Sequence, residues 1–148
     1  MTEHSKPRIV VSRCLGSDVC RYDGEAITFD FVRALEPHVR LVKLCPEVEI
    51  GLGTPRPPIQ IEIRDEKRRL IQPSTGLDLT DRMIAWRETT LDSLAQPDGF
   101  ILKSRSPTCG IADTKVFSAG GERRLGRGPG MFAEAVLARF PDAAVEGT

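Results

Sequence analysis

"GFILKSRSPTCG", Gly99 to Gly110, is an apolar β-type run followed by a polar turn that seats a cysteine between a proline and a glycine. A purely structural cysteine belongs inside a packed element, whereas this one lies on a turn where thiol and backbone can both face a ligand. The pattern recurs. "IVVSRC" leads from Ile9 to Cys14 and "LVKLCPE" from Leu41 to Glu47, so three strand candidates each run into a cysteine. In an open parallel sheet the carboxyl ends of neighbouring strands share one edge, and residues just beyond them converge although they are distant in sequence. The placement therefore predicts a parallel sheet and, at its edge, a meeting of Cys14, Cys45 and Cys109.

Working outward, strands are expected over 8–13, 39–45, 59–64 and 99–105, with "RRLIQ" (68–72) and "TKVFSA" (114–119) as further candidates. Helices are expected over 28–35, stopped by Pro37, and over 78–95, where Leu79, Met83, Trp86, Leu91 and Leu94 keep an apolar stripe. A third follows "GRGPG", with Pro129 in its first turn, burying Phe132, Val136 and Phe140 before Pro141 ends it. Strands alternating with helices give an α/β fold, a mainly parallel sheet flanked by helices. The 148 residues fit a single domain, with 1–6 and 143–148 as loose tails. No internal repeat or domain linker stands out. "GGERRLGRGPG" (120–130) reads either as a phosphate cradle at the next helix, assisted by Arg123, Arg124 or Arg127, or as a surface loop.

The composition is that of a globular protein, 40% hydrophobic and 28% charged, with 21 basic and 21 acidic residues. No global field draws the chain to nucleic acid or an anionic membrane. The opening "MTEHSKPRIVVSR" has too short an apolar run for a secretory signal, and nothing approaches a membrane span. The cytoplasm is the expected location. In that reducing compartment the four cysteines are read as buried thiols, metal ligands or nucleophiles before disulfides.

Structural zinc commonly takes four ligands including a close C-x-x-C pair, which this chain lacks. Cys20 is the one cysteine left to complete such a tetrad. Iron–sulfur clusters accept irregular thiolate spacing, and three protein ligands on a four-iron cube leave one iron open as a soft Lewis acid. A Cys–His hydrolase has only His4, in the tail, and His38, at the far end of a strand from Cys45 and roughly 20 Å away at about 3.3 Å per residue. That dyad fails on geometry.

The stretches "SRCLGSDVCRYDG", "CPEVEIGLGTPRPP", "TGLDLT", "GFILKSRSPTCG" and "GPGMFAEAVLARF" resemble, in order and over nearly the whole chain, the TudS-like thiouracil desulfidase family. The resemblance implies a Rossmann-like α/β domain holding a 4Fe-4S cluster on three cysteines, here Cys14, Cys45 and Cys109, with its fourth iron open to the sulfur of a thiolated pyrimidine. Cys20 matches a position that is not a ligand. The chain departs from the family pattern at "CLGS", at Glu25 and at Thr108, where serine is common. "CPEVEIGLG" and "FAEAVLARF" look most like a branch often fused to a second domain and linked to thiouridine in transfer RNA.

The expected reaction replaces sulfur by oxygen without net electron transfer, as a desulfidase of thiolated uracil in the form of base, nucleoside or monophosphate. Water needs a base and the departing group needs protons. Glu47, two residues after Cys45, is the first choice for the acid–base role, and Ser106 for donating to substrate or relaying a proton. Tyr22, Asp23, Arg56 and Lys103 are expected to bind substrate, and Arg21, Arg56 and Lys103 to offset the charge of a thiolate-bound cluster. Two alternatives stand beside this reading: a module that binds or edits thiolated transfer RNA, which zero net charge disfavours, and a structural zinc domain using Cys20.

Overall fold

The computed structural model describes residues 6–15 and 30–148. Its elements are β1 (Arg8–Ser12), α1 (Asp30–Leu35), β2 (Arg40–Leu44), α2 (Pro46–Glu49), β3 (Gln60–Arg64), β4 (Lys67–Gln72), β5 (Leu77–Asp78), α3 (Thr80–Ser93), β6 (Gly99–Leu102), β7 (Thr114–Ser118), β8 (Arg124–Gly128), α4 (Met131–Arg139) and β9 (Ala144–Gly147). A four-stranded sheet in the order β2-β1-β6-β9 is parallel throughout, with Val10 level with Val42 on one side and Phe100 on the other. Both of its faces are covered, which is why its central strands read as continuous apolar runs. Val10, Phe100 and Leu102 pack against Leu91, Phe132 and Val136 of α3 and α4, while Val11 and Ile101 pack against Val32 of α1. The α/β fold is as the sequence implies.

Beside it lies a second sheet, ordered β5-β4-β3-β7-β8, in which only β3 and β7 run parallel. Its β3–β4 hairpin turns on Asp65 and Glu66, both left-handed at φ 52° and 65°, a two-residue turn whose twist matches the strands it joins. Helix α3 serves both sheets. Leu79 and Met83 join Ile61 and Leu70 of the second sheet, Leu91 joins the core of the first, and Trp86 touches both and meets Phe132 at 5.4 Å between ring centres. Asp78, just ahead of the N-cap Leu79, accepts the N–H of Thr80, and Thr80 in turn accepts the N–H of Leu70.

Three local expectations are corrected. Residues 143–148 are not a loose tail: Ala144–Gly147 pair with β6, giving its outer edge a partner, and Thr148 Oγ1 accepts the N–H of Ser104. The glycine-rich segment is β-structure over Arg124–Gly128, drawn into the sheet by pairing with β7. Pro129 lies outside α4, whose N-cap is Gly130; the Pro129 carbonyl instead accepts from Arg68.

Candidate functional site

The strand order β2-β1-β6 sets three carboxyl-terminal ends side by side. Cys14 sits in the single 3-10 turn that follows β1, Cys45 caps α2 directly after β2, and Cys109 lies in the loop leaving β6. All three are buried, none is in a disulfide, and all three line one cavity of about 330 Å³. Glu47, Arg56, Lys103 and Ser106 line the same cavity. Seven of the residues singled out in the sequence thus share one place. Tyr22, Asp23, Arg21 and Cys20 lie outside the described residues. A roomier hollow of about 450 Å³ between β8 and α4 is lined by Arg68, Arg127 and Glu134 and by no thiol.

Local sequence explains how each group is held. After Cys45, Pro46 starts α2 with a preset φ, and Glu49 reaches back to accept the N–H of Cys45 at 2.9 Å. That short turn aims Glu47 inward, where Arg56 Nε donates to it at 3.0 Å. Arg56 Nη1 is engaged as well, by the Gly53 carbonyl at 3.0 Å and Thr54 Oγ1 at 3.2 Å. The arginine is therefore tied to Glu47 and to its own loop where it lines the cavity. Burial drives the Glu47 pKa above its ordinary value, although Arg56 and a hydrogen bond from Thr108 pull the other way.

The Cys109 loop is fixed from below. Gly130 donates to the Gly110 carbonyl, Met131 to Pro107, and Phe132 and Ala133 both to Thr108. These are the orphan donors at the start of α4, so the helix terminus is closed to a phosphate and the cradle expected there does not form. The approach is close enough to require glycine: a Cβ on Gly130 would lie 2.5 Å from the Thr108 carbonyl carbon. Arg105 enters the loop with φ 64°, its N–H held by Asp113 Oδ1 at 2.8 Å.

Burial pushes the Cys109 thiol up to about 11, opposed by hydrogen bonds from Ser12 and Thr108 and reinforced by nearby Glu47 and Cys45. Ser12, buried at the end of β1, also accepts the N–H of Lys103 at 2.9 Å. The Lys103 ammonium donates to the Ser104 carbonyl at 2.9 Å. Neither Ser12 nor Thr108 carries a sequence signal beyond its position beside a cysteine-bearing turn. His38 is exposed and precedes β2 while Cys45 follows it, so no histidine serves the thiols among the described residues.

Three soft donors lining one cavity are a donor set that would suit an iron–sulfur group. Among the described residues no group of three or more His, Cys, Asp or Glu side chains closes on a single metal ion, as a zinc site requires. No helix among them is long and apolar enough to cross a membrane.

Comparison with known proteins bears on the family and the fold. The family model described as 2-thiouracil desulfurase matches residues 9–148. The uncharacterized protein YbbK of Bacillus subtilis (strain 168) is 32% identical over 110 residues, 69% of this chain and 72% of that one. A solved structure titled [4Fe-4S]-dependent thiouracil desulfidase TudS superposes with a TM-score of 0.66 at 30% identity, covering 96% of this chain and 91% of that one.

Proposed function

This chain belongs to the 2-thiouracil desulfurase family, and from that premise we propose that it removes sulfur from a thiolated pyrimidine using a 4Fe-4S cluster held by Cys14, Cys45 and Cys109. The observation that carries the proposal is the convergence of three buried thiols and a largely buried carboxylate on one cavity at the sheet edge. The similar solved structure, a [4Fe-4S]-dependent thiouracil desulfidase, supports the choice of cofactor. When bound, such a cluster supplies an open, Lewis-acidic iron with an affinity for sulfur.

The chain's own residues handle water and protons. Glu47, its pKa raised by burial, is a base for the water that adds to the ring carbon. Ser106 donates a proton to the substrate as the carbon–sulfur bond breaks. Water in and hydrogen sulfide out leave the pyrimidine with oxygen in place of sulfur and no change of redox state. Lys103 lines the cavity and binds the substrate or offsets thiolate charge, while Arg56 holds Glu47. With zero net charge, a small base, nucleoside or monophosphate is a better substrate than a polynucleotide.

Anaerobic reconstitution should give iron and acid-labile sulfide near four each per chain and release of sulfide from 2-thiouracil or 4-thiouracil compounds. Cys45→Ala should lose both the iron and the turnover. Full turnover in that variant, or zinc in place of iron in the native protein, would defeat the proposal.

A further inference from the structure

Two hydroxyl side chains in the Cys109 loop form a short hydrogen-bonded row that ends on a sulfur. Ser106 Oγ lies 3.1 Å from Thr108 Oγ1, and Thr108 Oγ1 donates to Cys109 Sγ at 3.7 Å. Between the two hydroxyls, either oxygen could be the donor.

Counting donors and acceptors supplies the direction. Ser106 Oγ already accepts the N–H of Thr108 at 3.2 Å and of Cys109 at 3.0 Å, which occupies both lone pairs of a neutral hydroxyl. It has nothing left with which to accept from Thr108, so without substrate its own proton points at Thr108 Oγ1. The Thr108 proton is then aimed at Cys109 Sγ. The row runs one way, from Ser106 through Thr108 to the sulfur, and each bond polarises the next.

The backbone holds the row in place. Thr108 is 1% exposed and its carbonyl accepts the N–H groups of Phe132 and Ala133, while the Ser106 carbonyl accepts the Gly110 N–H at 3.0 Å and Thr114 Oγ1 at 2.6 Å. Cys109 is 3% exposed, so little solvent reaches its sulfur. A buried hydroxyl needs a partner, and beside a turn that is often its whole role. Here the partner is a sulfur to which the function proposed above gives an iron, and hydrogen bonds to such sulfurs set the potential of an iron–sulfur group.

We propose that Thr108 is a positioning residue: with its proton oriented by Ser106, it delivers a fixed hydrogen bond to Cys109 Sγ and makes that sulfur a weaker electron donor to the cluster. The inference rests on the ligand set proposed above. Weaker donation from Cys109 raises the electron demand where the substrate sulfur binds.

The test reads this bond with and without iron, comparing Thr108→Val, which keeps the shape and loses the hydroxyl, with Thr108→Ser, which keeps the hydroxyl. In the cofactor-free full chain, the Raman S–H band that disappears in Cys109→Ala should shift in the valine variant and hold its parent position in the serine variant. After anaerobic reconstitution, the reduction potential should move to lower values in Thr108→Val and stay near the parent's in Thr108→Ser. Loss of iron in the valine variant with retention in the serine variant also supports the inference, since serine restores the hydroxyl and not the methyl. An S–H band unmoved by Thr108→Val, or an unmoved potential in an iron-loaded valine variant, overturns this inference and leaves the functional reading standing. Iron lost from both variants assigns Thr108 to packing beneath the loop and overturns it too. A parent chain that takes up no iron overturns the functional reading itself.

Discussion

Arg56 Nε donates to Glu47 Oε1 at 3.0 Å with both side chains almost removed from water, at 5% and 12% exposure. Breaking a buried ion pair by deleting one partner is costly because it strands the other charge. Arg56→Met should therefore lower stability by about 3–5 kcal/mol in urea unfolding at neutral pH. Arg56→Lys, which keeps the charge and loses the planar fork, should fall between the two.

Gly130 and Gly126 are a matched contrast. A Cβ at Gly130 meets the Thr108 backbone at 2.5 Å, whereas at Gly126 it meets nothing within 4 Å. Gly130→Ala should cost about 1–3 kcal/mol by overpacking and reduce iron uptake by displacing the Cys109 loop. Gly126→Ala should stay within about 0.5 kcal/mol of the parent, as surface changes usually do. Paired urea midpoints and iron assays decide both.

In the cofactor-free chain the Cys109 thiol, pushed up to about 11 from 9.0, is largely protonated at pH 8. Thiolate is the reacting species, so alkylation there should be roughly a hundredfold slower than at an ordinary thiol. Site-resolved mass spectrometry after a timed iodoacetamide pulse measures this. Ligation must also expel the thiol proton, so cluster uptake should improve as pH rises.

Glu62 is 1% exposed and accepts from Gln60 Nε2 at 2.9 Å, Arg64 Nη2 at 2.9 Å and the Gly120 N–H at 3.0 Å. Burial pushes its pKa up, but these donors together outweigh burial and hold it below the usual 4.5. A carboxylate so held stabilises the fold above its unfolded value, and the contribution is lost as pH falls through the lowered one. Glu62→Gln should cost about 1–3 kcal/mol at pH 7. The gap between variant and parent should narrow on acidification, as followed by urea midpoints across the acid range.

The strand-end cysteines were legible because β-branched runs and Pro or Gly neighbours mark where a strand stops, and parallel topology does the rest. The pocket residues Glu47, Lys103 and Ser106 followed from their closeness in sequence to those cysteines. Less legible was β8, since Gly and Arg have little strand propensity of their own and the pairing with β7 decides. The same holds for β9, built from Ala, Val, Glu and Gly at the end of the chain. Arg56 is read from the sequence as a cation for substrate or cluster charge on a rigid proline-rich loop, and its bond to Glu47 has no signal in the sequence. The Thr108 hydroxyl looks like turn chemistry until α4 is seen to fix the backbone beneath it.

The latch between α4 and the Cys109 loop also links access to the helix's own integrity. Carbonyls of Pro107, Thr108 and Gly110 stand in for the missing turn ahead of the helix. Any excursion of the loop large enough to release Cys109 must fray Met131, Phe132 and Ala133 as well. Deuterium uptake at those three amides is thus a clock for how often the thiol lets go.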